Sequence, residues 1–202
     1  MEKAKIHLSA NEWKMIRETD WIFIKKQITA KVYELLGMIA DEWRLTVPEN
    51  RHLPEEVRLS EPKITRGEQY KELPYVILDY PRVFGKEGVF AIRTMFWWGK
   101  TISVTLHLSG KYKQQYQPAL LKNCQVKQYQ YCCFEAICKD EWEHEIAAPY
   151  YLPVHEFTVE DLQQMITNSG FVKFAIPFAL EEWNELPEKL LHAHQTLNEW
   201  LI

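Results

Sequence analysis

Glycine is scarce. Seven in 202 residues leave little room for a glycine-rich phosphate loop, and there is no G-x-S-x-G elbow. The first residues, MEKAKIHLSANEWK, lack the apolar core of a signal peptide, and no apolar run approaches the roughly 18 residues of a membrane span. A cytoplasmic chain with no membrane partner is the expectation. Formal charge is −4 with no basic block, which argues against general nucleic-acid binding, since that needs clustered Lys and Arg. Internal repeats and low-complexity tracts are missing too.

The four cysteines, Cys124, Cys132, Cys133 and Cys138, fall in one short stretch. Without a secretory signal they read as reduced thiols. Zinc would want two C-x₂₋₄-C-like pairs, whereas the spacing is CC-x₄-C with His144 nearby. On a strand, Cys132 and Cys133 point to opposite faces and cannot share an ion. Neither a metal nor a cofactor is expected.

A hydrophobic content of 47% and eight tryptophans supply ample core for one domain. The organising stretch is Pro74 to Gly110, three β-prone runs joined by turn formers. Thr101 to Leu108 alternates, with Ile102, Val104, Leu106 and Leu108 on one face and Thr101, Ser103, Thr105 and His107 on the other. Val89 to Trp98 is apolar on both faces apart from Arg93 and Thr94, as suits a central covered strand. A two-residue turn at Gly99-Lys100 would set Arg93 beside Ile102, Val104 and Leu106. An odd loop of three instead groups Ile92 and Phe96 with that apolar set, and Arg93 with Ser103, Thr105 and His107. The odd loop is preferred because it keeps the guanidinium out of the apolar layer. In the first run Asp79 is the single charge, positioned to pair with Arg93, and Pro81 should stop the ladder.

Around this core the chain reads as helices. Ser9 and Glu12 form a capping box that starts a helix at about Ala10. From Asp20 a stripe of Trp21, Ile24, Ile28, Val32, Leu35, Ile39 and Trp43 predicts an amphipathic helix ending before Pro48. Lys63 to Tyr70 suggests an edge strand with a bend at Arg66-Gly67. Residues 111–130 read as a polar connection with a short helix at Pro118 to Asn123, and Tyr129 to Trp142 as a strand. Thr158 caps a helix to about Asn168, ended by a left-handed Gly170. Phe171 to Ile176 is a last strand, and Pro187 to Leu201 a closing helix with His194 packed on its apolar stripe.

The fold expected is α+β: a mostly antiparallel sheet of four to six strands with N- and C-terminal helices packed on it. It is one domain, helical over 9–47, sheet-rich over 63–145, and closed by helix, strand and helix over 157–202. The polar sheet face would carry Asp79, Arg93, Ser103, Thr105 and His107, with Trp97 and Trp98 at its hairpin end. Arginine in an apolar sheet suits a carboxylate or phosphate, and tryptophans make flat walls. A module binding a small-molecule anion is therefore the leading reading, set against a purely structural Arg93–Asp79 pair. Two others compete: an enzyme with His107 as acid–base group oriented by Asp79, with Arg93 holding an anion, and an interaction module using Trp97, Trp98 and the tyrosines of 112–131, with a homodimer as candidate assembly.

Overall fold

Among the described residues, seven antiparallel strands form one sheet in the order β1-β2-β3-β4-β7-β5-β6. A computed structural model describes residues 6–123 and 130–202; Cys124 and Tyr129 fall outside them. The strands are β1 Lys63–Tyr70, β2 Leu73–Gly85, β3 Gly88–Trp97, β4 Ile102–Ser109, β5 Tyr131–Phe134, β6 Leu152–Pro153 and β7 Phe171–Phe178. The helices are α1 Ala10–Arg17, α2 Asp20–Arg44, α3 Glu55–Arg58, α4 Gly110–Asn123, α5 Val159–Asn168 and α6 Leu186–Glu199. The α+β class holds; the sheet has seven strands rather than four to six, the two-residue β6 being too short to carry a period.

The β3–β4 hairpin takes the odd loop. Trp97 N donates to Thr101 O at 2.8 Å, and Phe96, Thr94 and Ile92 sit opposite Ile102, Val104 and Leu106. One sheet face is thus Val76, Leu78, Phe90, Ile92, Phe96, Val104, Leu106, Phe174 and their neighbours, buried under α2, α4 and α6 in a single core. The opposite face carries Asp79, Arg93, Thr105, His107 and Lys173, and the segment 135–151 lies over it.

Several expectations need correction. Pro81 does not stop β2. The strand continues to Gly85 because its register shifts between Asp79/Arg93 and Arg82/Ala91, so the residue without an N–H sits in a bulge. The strand expected over Tyr129–Trp142 ends at Phe134. The polar connection after Gly110 is one helix, α4, with Pro118 inside it and Tyr112 and Tyr116 buried against Phe90. Helix α5 ends on an extended Ser169 rather than a left-handed Gly170. The N-terminal helices part at Glu18-Thr19, and only the second half of α2 packs on the sheet, since α1 has no buried residue. Among the described residues, no helix is long and apolar enough to cross a membrane.

Candidate functional site

Adjacent central strands put Asp79 opposite Arg93, and Arg93 opposite Thr105. Arg93 Nε donates to Asp79 Oδ1 at 2.7 Å and Nη2 to Oδ2 at 2.9 Å, a two-pronged pair with both side chains largely buried. The remaining nitrogen, Nη1, lies 2.6 Å from His144 Nε2. A guanidinium only donates, so His144 accepts at Nε2 and carries its proton on Nδ1. Burial, reinforced by Lys173, Arg93 and His107, holds the His144 pKa well below the ordinary histidine value.

His144 is delivered by the covering segment, and its neighbours pin that segment down. Glu143 accepts the backbone N–H of Glu145 at 2.7 Å, that of His144 at 2.9 Å, and the Tyr70 hydroxyl. Lys71 reaches Glu143 at 2.9 Å and Glu145 at 2.6 Å. Burial pushes the Glu143 carboxyl up, but Tyr70, the Glu145 N–H and Lys71 outweigh it and leave its pKa below the ordinary value. From β7, Lys173 donates to the carbonyls of Glu141, at 3.1 Å, and Glu143. Among the described residues Lys173 has no carboxylate partner within ion-pair distance, and its burial lowers its pKa to about 8. Sequence reasoning missed Tyr70, Lys71, Glu143 and Lys173. Of these, only Lys173 carried a signal, an isolated charge in an apolar run.

His107 lies under Trp142, ring centroids 5.4 Å apart, and beside Phe171 at 6.2 Å. It is 4% exposed. Its Nε2 is 3.3 Å from the Glu141 carboxylate, within ion-pair range yet off the line of a hydrogen bond. Burial lowers the His107 pKa, and the contact with His107 lowers that of Glu141. Asp79, expected to orient His107, is instead engaged by Arg93. Ser103 and Thr105 share the face and are buried. Trp97 is on that face too, packed with Ile77 and Met95. Trp98 turns to the other side, against Phe96, so the two tryptophans do not wall one site.

Over His107 the surface opens into a groove of about 790 Å³. The β2–β3 turn (Phe84 to Val89), Ser109, Phe171 and the covering segment (Lys139, Glu141, Trp142) enclose it. Phe84 and Trp142 face each other with ring centroids 6.0 Å apart. Phe84 also lies 5.9 Å from the Arg93 guanidinium carbon. Of the acidic groups on its wall, Glu87 pairs with Lys111 at 3.0 Å, Glu135 accepts from Gly170 N at 3.1 Å, and Glu141 faces His107. Lys86 and Lys139 make no ion pair among the described residues.

Cys132 belongs to the main core and Cys133 to a small cluster with Cys138 and Tyr151 on the opposite face. Burial raises the thiol pKa of both, so neither is an activated nucleophile. Among the described residues there is no cluster of three metal-ligating side chains. No family model, no curated protein and no solved structure matches the chain.

Proposed function

We propose that the chain binds a small anion bearing a flat apolar part, in the groove above His107. The observation that carries this reading is the pairing of aromatic walls (Phe84, Trp142, Phe171) with two lysines, Lys86 and Lys139, that form no ion pair among the described residues. Ligand sites combine apolar walls with a few convergent polar groups in just this way. Arg93 has a different part from the one its residue type suggests. Asp79 and His144 engage each of its three nitrogens, so it supports the floor and leaves the anion to the lysines.

An acid–base role for His107 is the weaker reading, because Trp142 covers the ring and no nucleophile faces it. The test is a thermal-shift screen of the wild type, Lys86→Ser/Lys139→Ser and Trp142→Ala against benzoate, indole-3-acetate, adenosine monophosphate and inorganic phosphate. An aromatic anion should raise the wild-type midpoint, and both variants should lose that shift while remaining folded. A shift that survives in both variants, or no shift with any of these anions, refutes the groove as the site.

A further inference from the structure

Helix α2 is longer than the body it lies on. Val32 is its first buried residue; Trp21 and Ile24, on the same stripe about three and two turns earlier, are 46% and 53% exposed. The stripe that should face a core has none over its first two turns, which leaves apolar surface without a partner.

That stripe reads the same in both directions. Trp21, Ile24, Ile28 and Lys31 are spaced three, four and three residues apart. An antiparallel copy with its two-fold axis at Lys26 therefore sets Ile24 against Ile28 and Trp21 against Lys31, each contact occurring twice. A tryptophan face and an ammonium attract one another. Ile28 and Lys31 also line a groove of about 440 Å³ with Phe96, Trp98, Leu180 and Trp183. The groove is thus walled by the residues that would meet Trp21 of the other copy. We propose that a second copy of this chain docks here, the two α2 helices antiparallel and each Trp21 seated in the other's groove, as an isologous two-fold dimer.

Charge favours this occupant. Residues 6–31 hold five Lys and Arg against three Asp and Glu, whereas residues 32–202 carry a net charge of −7. Each basic arm would lie along the acidic body of its partner, beside Glu181, which is exposed next to Leu180 and makes no ion pair among the described residues. Each copy supplies both a stripe and a groove, so every contact is made twice. The stripe spans only three turns of one helix, a small contact that implies a reversible dimer.

Sedimentation velocity on the full chain, over about a hundredfold range of concentration, tests this. The wild type should shift from monomer to dimer across the range. Trp21→Lys should raise the dissociation constant at least about 30-fold, the loss expected of an anchor residue. It should keep the wild-type far-UV circular dichroism, because residue 21 is exposed in the single copy. Trp13→Lys is the control: Trp13 is as exposed, at 49%, but sits on α1 away from the stripe, and the constant should stay within about threefold. A wild type that is monomeric throughout, or equal losses in the two variants, overturns the proposal. Monomeric wild type that co-sediments with phosphatidylserine vesicles would also overturn it, assigning the arm to a lipid surface.

Discussion

His194 is the group through which acid should unfold this protein. It sits on the inner face of α6 with no solvent exposure. Nε2 is 2.7 Å from Thr94 Oγ1, the ring lies 4.4 Å from that of Trp43, and Nδ1 has no partner. No carboxylate faces it, so burial alone lowers its pKa to about 3, against an ordinary 6.5. The folded value lies below the unfolded one. The stability is therefore present in full above pH 6.5 and is lost as pH falls toward 3, because only the unfolded chain takes up the proton. Between about pH 7 and pH 4.5 the loss from this one group is roughly 2.5 kcal/mol. Urea unfolding of wild type and His194→Gln at the two pH values isolates it. His107 and His144 are depressed by burial as well and add to the acid sensitivity of both proteins, so they cancel in the comparison. Wild type should lose roughly 2.5 kcal/mol more than the variant. Equal losses would mean that His194 is charged in the folded protein, and the reasoning would fail.

Lys173 acts in the same sense at higher pH. Its folded pKa of about 8 lies below the ordinary 10.5, so the unfolded chain holds the extra proton and stability rises as pH climbs through 8. Unfolded Cys132 and Cys133, with an ordinary value of 9.0, ionise over the same range and pull stability down in both wild type and variant. Chemical denaturation at pH 8 and pH 9 should therefore show the wild type gaining about 1 kcal/mol more than Lys173→Met; an equal change in the two would assign the slope elsewhere. Arg93→Met strands the buried Asp79 carboxylate and should cost about 3–5 kcal/mol, most of it recovered in Arg93→Met/Asp79→Leu. A double variant as unstable as the single one would show that the pair does not act as a unit. Phe96→Ala and Leu106→Ala, both large-to-small changes in the main core, should each cost about 2–5 kcal/mol in urea unfolding, and unchanged midpoints would overturn the face assignment.

Local chemistry was enough to read much of this chain. The Ser9–Glu12 box and the Thr158 cap mark two helix starts, because a capping side chain and its N–H lie within one turn. Period-two alternation in β4 divided Leu106 from His107. The cost of burying a guanidinium in the apolar layer chose the β3–β4 register and with it the Asp79–Arg93 pair. The closing of the polar face was beyond reach of that reasoning. Tyr70, Glu143 and Lys173 are far apart in sequence, and nothing in 135–151, which has no periodicity, says that it folds back over the sheet. Phe84 joins Trp142 in one groove for the same reason. The overhang of α2 is also a tertiary fact: its stripe is continuous in sequence from Trp21 to Trp43, but the body beneath it begins only at Ile28. Spacing along a chain determines which side chains share a face. How far the opposing surface extends, and what covers the other side, is decided only when distant segments meet.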